Sequence, residues 1–283
     1  MDNKLIILKN NKFMINFIIN IIRFILKKLN LAVMLDSQFV RYKALRKYEI
    51  LEFVKEKNIK KIYTYWPDSK SQLKQDLFVI DRLEFKEKGF FCELGAADGI
   101  SFSNTWILEK KLNWDGLLIE ASKQWKPHLI KNRNSKISYD CVWSKTGESI
   151  NFNEVGDVSK KISDKSDEFA KAMYSTIDQF SNKDIHSRLR KKGKKYKLEG
   201  ITLTDLFQKF NVPKEIDYLS IDTEGSEFEI LSVFDFDKYK IKIITVEHNY
   251  SKNREKIFKL LTNKSYERVL SNISEFDDWY VLR

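Results

Sequence analysis

The 283-residue sequence is poor in cysteine, proline and histidine, with two, three and three of them. Cys92 and Cys141 do not make a disulfide framework, and both sit in apolar, strand-like runs that suit buried, reduced thiols. No Cys-x-x-Cys pair or Cys/His cluster occurs, so a structural zinc site is not expected. Three prolines beside 42% hydrophobic residues argue for a folded core rather than a disordered chain. Neither G-x-G-x-x-G nor G-x-x-x-x-G-K-[ST] is found, which excludes the dinucleotide fingerprint and the P-loop.

What the chain has in excess is positive charge, a formal +11, most of it at one end. Residues 1–75 hold 16 Lys/Arg against 6 Asp/Glu, a net +10, and a second basic run, SRLRKKGKKYK, covers 187–197. A basic arm points to an anionic surface, whether phospholipid, nucleic acid or acidic glycan, or to a solvated lysine-rich face. Within the arm, FMINFIINIIRFIL (13–26) is the most apolar segment, and Asn16, Asn20, Arg23 and Lys27 recur at helical spacing to form one narrow polar stripe. It is shorter than the roughly 20 apolar residues a spanning helix needs. Three readings stay open: an interfacial membrane helix, a short signal anchor, or a helix packed on protein. The expected organisation is an apolar helix over 1–30, a basic helical arm over 31–75 with an amphipathic helix at 38–58, and one large domain over 76–283. The expected localisation is cytoplasmic, with membrane-surface contact through residues 1–30 as an option.

From about residue 76 buried-strand runs alternate with helical spacing. Strands are expected at 89–95, 116–122, 136–143, 150–155, 216–225 and 241–249, with a closing pair near the C-terminus. Helices are expected at 103–112, 202–210 (capped by Thr202), 226–234 and 253–263. Residues 156–200 read as a mobile, basic insertion with one helix near 165–175, and 187–197 as a lid or a solvated loop. Such alternation predicts an α/β fold, a mostly parallel sheet with helices on both faces and ligands beyond the carboxyl ends of the strands.

Those ends are acidic: Glu93 and Asp98 around the glycine turn of FFCELGAADG (90–99), Glu120, Asp140, Asp222 with Glu224, and Glu247 beside His248 and Asn249. A single acid there is ordinarily a solvated loop carboxylate; five strand ends with acids form a pattern. Carboxylates would repel a pyrophosphate but suit a cationic ligand without phosphates. S-adenosylmethionine carries an ammonium, a sulfonium and a ribose diol. Glu120 follows Gly95 by 25 positions, near the ~20-residue offset at which an acid grips ribose hydroxyls. Asp140 would meet the adenine.

The blocks QDLFVID (75–81), FCELGAADGISFSNTWILEKKLNWDGLLIEAS (91–122), IDYLSIDTEGSEFEIL (216–231), ITVEHNY (244–250) and DDWYVL (277–282) resemble the FkbM-type methyltransferase family, a branch of the class I S-adenosylmethionine-dependent enzymes. The resemblance covers roughly 72–283. It implies a three-layer, Rossmann-like, seven-stranded sheet with an antiparallel C-terminal hairpin, and O-methylation of a hydroxyl on a sugar, glycan or small metabolite. It places Glu93, Gly95, Ala96, Asp98 and Gly99 at the methionyl part and Asn104 at its carboxylate. It also puts Glu120 at the ribose, and Asp140 and Cys141 near the adenine.

An alcohol acceptor needs a base or a metal to lose its proton. Asp222, Glu224 and His248 are the candidate catalytic residues. Asp222, Glu247 and His248 are candidate ligands for Mg²⁺ or Mn²⁺. The metal-free and metal-assisted routes both stay open. Two rival functions are a nucleic-acid (RNA) methyltransferase, invited by the charge, and an inactive methyltransferase-fold interaction module. Against the first, no RNA-binding module or aromatic-interleaved basic groove is recognisable, so nucleic acid is not the expected partner.

Overall fold

The computed structural model describes residues 49–159, 168–182 and 186–283. The expected helix over 1–30 and the first part of the basic arm lie outside them. The strands are β1 (Phe90–Leu94), β2 (Asp115–Ile119), β3 (Lys136–Ser138), β4 (Cys141–Val142), β5 (Ser149–Glu154) and β6 (Thr176–Ile177), followed by β7 (Lys194–Ile201), β8 (Glu215–Ile221), β9 (Lys240–Glu247), β10 (Tyr266–Val269) and β11 (Asp277–Leu282). Between them run α1 (Ile59–Tyr65), α2 (Gln75–Arg82), α3 (Trp106–Leu112), α4 (Lys126–Asn132), α5 (Glu168–Ala172), α6 (Ser187–Arg190), α7 (Leu203–Lys209), α8 (Glu227–Ser232) and α9 (Asn253–Asn263). Among the described residues no helix is long and apolar enough to cross a membrane.

Seven strands form the main sheet in the order β10-β11-β9-β8-β1-β2-β3. β3, β2, β1, β8 and β9 pair in parallel, whereas β11 runs antiparallel to both β9 and β10. The expected C-terminal hairpin is therefore present. Alternate residues of the central strands serve two layers, as the period of two requires. Leu94, Leu117, Leu219 and Ile244 pack toward Leu206, Phe207, Leu231 and Leu261 of the C-terminal helices. Phe91, Leu118, Tyr218 and Ile243 pack in the cluster of Ile62, Leu77, Ile107 and Leu129. Strands buried on both faces read as continuous apolar runs, which is why FFCEL and IDYLSI stand out in the sequence.

Three expectations need correction. The 38–58 helix is not formed where it is described: 49–58 makes two 3₁₀ turns, Glu49–Glu52 and Glu56–Asn58. Asp81 accepts from the Lys55 backbone N–H and from Asn58 Nδ2, which draws this segment onto α2. Ile50, Val54 and Ile62 consequently enter the core, so the packed unit reaches upstream of residue 76, to residue 49. Second, the single strand expected at 136–143 is split. β3 belongs to the main sheet and β4 to a separate sheet of order β4-β7-β5-β6.

Third, 156–200 is not weakly patterned. α5 lies within the expected helix, but Lys194–Ile201 is an eight-residue strand paired with β5 from Ser149↔Glu199 to Glu154↔Lys194. Its lysines hide a period of two: Tyr196 and Leu198 pack against the cluster of Trp143, Ile150, Phe152 and Phe180, while Lys195 and Lys197 face outward.

One buried cation fixes the turn after β1. Arg133, 3% exposed, donates to Glu109, to the Gly99 carbonyl and to the hydroxyls of Ser103 and Thr105. It also lies 3.5 Å from Glu93 Oε2. Burial raises the Glu109 pKa, but Arg133, Lys110 and Ser135 overcome it and hold the carboxyl at about 2. This contribution is present above the ordinary carboxylate pKa and is lost as pH falls toward 2. Arg133→Met should cost about 3–5 kcal/mol in denaturant unfolding at pH 7, since it strands Glu109 and Glu93. The deficit should narrow below pH ~4 as Glu109 protonates; a deficit constant down to pH ~2 would contradict the role given to the ion pair.

Candidate active site

A cavity of about 320 Å³ opens beyond the carboxyl ends of β1, β2, β8 and β9. Glu93, Gly95, Asn104, Glu120, Asp140, Cys141, Asp222, Glu224 and Glu247 line it; Ala96, Asp98, Gly99 and His248 do not. Gly95 lets two strand ends meet: its φ is +83°, and a Cβ there would lie 1.8 Å from the Asp222 carbonyl oxygen. No other residue type fits that approach.

Around this glycine the turn is built by residues expected to contact ligand. Asp98 accepts from the Ile100 and Ser101 backbone N–H groups and from the Ser101 hydroxyl, so its carboxylate closes the turn. Gly99 gives its carbonyl to Arg133 and leaves room for the Arg133 stem, which a Cβ would meet at 2.7 Å. Ala96 is buried with its N–H on the Ile119 carbonyl. The sequence reading is corrected for these three: they shape the turn and leave the cavity wall to Gly95 and Ala97. Glu93 reaches the wall, but its carboxylate is bonded to the Asn104 N–H and to the Ser103 and Thr105 hydroxyls.

Two lining groups stay poised. Asn104 donates to the Ser220 hydroxyl, while its Oδ1, shielded from solvent, has no partner among the described residues. Glu120 accepts from the N–H groups of Ala97 and Ser122. Burial pushes its pKa up to about 7, with the nearby Glu154 and Asp222 adding to the rise. Asp140 turns toward Lys209, 2.9 Å away, and the Ser138 hydroxyl. The wall beside it is apolar, made by Trp125, Val142, Phe152 and Cys141, whose thiol burial pushes up to about 12. A neutral thiol there is a packing surface.

At the other end the acids crowd. Asp222, Glu224 and Glu247 bring carboxylate oxygens within 4.8 Å of one another. Burial raises Asp222, and burial together with Asp222 and Glu224 raises Glu247 well above the usual range. Carboxylates this close cannot ionise independently, so the two titrate as a pair. Asn249 Nδ2 donates to Glu247 Oε2 at 2.7 Å. Glu224, at φ +59°, is paired with Arg190, Nη2 to Oε2 at 2.6 Å.

His248 is corrected as a site residue. Successive strand residues face opposite ways, so with Glu247 on the cavity side His248 falls on the other. Its Nδ1 accepts from the Tyr250 N–H, and Nε2 lies 3.8 Å from Asp278, which Arg254 and Arg268 also hold. Burial lowers its pKa to about 4, keeping it neutral. The predicted metal set of Asp222, Glu247 and His248 thus does not assemble.

Sequence reasoning missed what the 156–200 segment contributes: Tyr174 and His186, whose rings stack at 4.1 Å, and Arg190, fully buried. The available signal was arginine in a lysine run. Arginine is the residue of choice for buried ion pairs, lysine for solvated ones.

Glu120 supplies a direct check. A carboxyl raised from 4.5 to about 7 contributes stability fully present below the unfolded pKa and lost as pH rises through 7. Between pH 5 and 8 the unfolding free energy should fall, by up to roughly 3 kcal/mol from this group, and Glu120→Gln should flatten that slope. An unchanged slope would remove Glu120 from the raised set.

The methyltransferase FkbM domain family matches residues 93–281. No curated protein matches. Among solved structures, similar chains include a methyltransferase FkbM from Methylobacillus flagellatus KT, at 10% identity over 80% of this chain and 59% of that one, with a TM-score of 0.38. Precorrin-6y C5,15-methyltransferase from Geobacter metallireducens GS-15 shares 10% identity over 68% and 71%, with a TM-score of 0.37. A putative RNA methyltransferase from Pyrococcus horikoshii shares 13% over 70% and 67%, with a TM-score of 0.33. With a family match over most of its length, the chain belongs to the FkbM methyltransferases, a family whose methyl donor is S-adenosylmethionine.

Proposed function

We propose that the protein methylates a hydroxyl of a sugar, glycan or small metabolite, with Asp222 as general base. The observation that carries this reading is the close approach of the Asp222 and Glu247 carboxylates in the same cavity as the Gly95 turn. The donor, when bound, supplies an electrophilic methyl group. The residues present fit it. Asn104 Oδ1, without a partner among the described residues, suits its ammonium, and Glu120 suits the ribose diol. The apolar slot of Trp125, Val142 and Phe152 suits the adenine.

The chain's own work is orientation and proton transfer. Glu247 flanks the Asp222 carboxylate, and Asp222 accepts the proton as the acceptor oxygen attacks. A positioned base of this kind is worth roughly 10²–10⁴ in rate. Phe102 and Tyr250, 54% and 68% exposed, stand at the cavity with the Tyr174–His186 stack. Exposed aromatic faces with polar neighbours suit the mixed apolar and hydroxylated surface of a sugar ring. No step is routed through a metal ion. Of the converging carboxylates, Glu224 is already engaged by Arg190, and His248 faces away.

Methyl transfer from labelled donor to a panel of methyl pyranosides, oligosaccharides and RNA, with and without chelator, tests this. Asp222→Ala should lower the rate at least ~100-fold, and Glu247→Ala should lower it too. Chelator should leave the wild-type rate unchanged. Full activity in both variants would sink the base assignment, and methylation of RNA alone would replace the acceptor class.

A further inference from the structure

Three carboxylate oxygens within 4.8 Å, from Asp222, Glu224 and Glu247, have the composition of an oxygen-only divalent-cation site. What stands against them is a guanidinium. Arg190 is fully buried, its Nη2 lies 2.6 Å from Glu224 Oε2, and its Nε donates to the Tyr174 carbonyl at 2.8 Å. Both contacts fix its plane, and a guanidinium does not lose its proton in a protein.

We propose that Arg190 takes the charge-balancing place that a divalent ion would otherwise occupy in this acid cluster, making residues 186–190 part of the catalytic centre. This rests on the reading of Asp222 as base. The geometry favours the guanidinium. Arg190 brings one permanent positive charge to Glu224 and leaves the Asp222 oxygens uncoordinated, where a base is needed. A divalent ion held by the same three acids would coordinate the Asp222 oxygen and take it out of use as a base. Glu93 flanks Asp222 from β1 and adds to the repulsion, whereas Arg190 is the cation that lowers the Asp222 pKa. Arg190 is thus a positioning residue that acts through Glu224 and Asp222.

The competing role for Arg190 is a staple that ties its helix to Tyr174 and nothing more. Mn²⁺ binding, followed by electron paramagnetic resonance at pH 7.5 on the full chain, separates the two without any acceptor. Wild type should bind Mn²⁺ no tighter than millimolar. Arg190→Ala, which takes the guanidinium away from Glu224, should bind it at least about tenfold tighter, and the Arg190→Ala/Glu224→Gln double variant should lose that gain. Arg190→Lys should stay near wild type in Mn²⁺ binding and retain more methyl transfer than Arg190→Gln. Micromolar Mn²⁺ binding by wild type overturns the proposal, as does a folded Arg190→Ala or Arg190→Gln that gains no affinity. The wild-type titration decides if both variants unfold. Failure here leaves the base reading intact, because that stands or falls on the Asp222→Ala rate.

Discussion

Carboxylates crowded out of water govern the cavity end of this protein's sheet. Two like charges about 4 Å apart repel by roughly 4 kcal/mol at an effective dielectric near 20. Asp222, Glu224 and Glu247 lie at about that distance from one another, with Glu93, Glu227 and Asp277 also buried. They cannot all be ionised. The structure answers in three ways: donors, protons and one arginine. Glu93 is saturated by the backbone and hydroxyls of residues 103–105, and Glu227 by Thr223 and Gly225. Burial lifts Glu227 to about 7 and Asp277 to about 8, so both are at least partly protonated near neutrality. Glu224 receives Arg190. What is left is the crowded Asp222–Glu247 pair and a surplus of negative potential in a cavity suited to a sulfonium donor.

The same constraint separates acids that build from acids that bind. Asp98 and Glu93 spend their oxygens on the turn, and Arg133 locks that turn from below. The cavity can then present the Asn104 amide oxygen and the Glu120 carboxylate without the loop collapsing into them. A ligand site assembled on a parallel sheet depends on this division, since a flexible turn would satisfy its own open groups.

Much of this was legible in the sequence. The main sheet and its closing hairpin follow from apolar runs long enough to be buried on both faces, and the glycine turn follows from its lack of phosphate-compatible charge. That Glu120, Asp222 and Glu247 share one cavity follows because strand ends in such a sheet converge on one cleft. Two failures have a common cause: where a side chain points is not written in residue type. His248 falls on the far face by strand alternation, and Asp98 and Gly99 turn inward to hold the loop. The 156–200 segment was misread for a different reason. Its lysines swamp the alternation of Tyr196 and Leu198, and pairing with β5 about 45 residues upstream is a non-local contact that local pattern does not carry. Arg190 was concealed in the same basic run.

Everything at this end of the sheet presupposes that the cavity takes the methyl donor. Calorimetric titration of the purified chain with S-adenosylmethionine addresses that without knowledge of the acceptor. Saturable binding at one site per chain, displaced by S-adenosylhomocysteine, is the predicted result. No saturable heat and no displacement would contradict it, and the acid cluster would then need a different ligand.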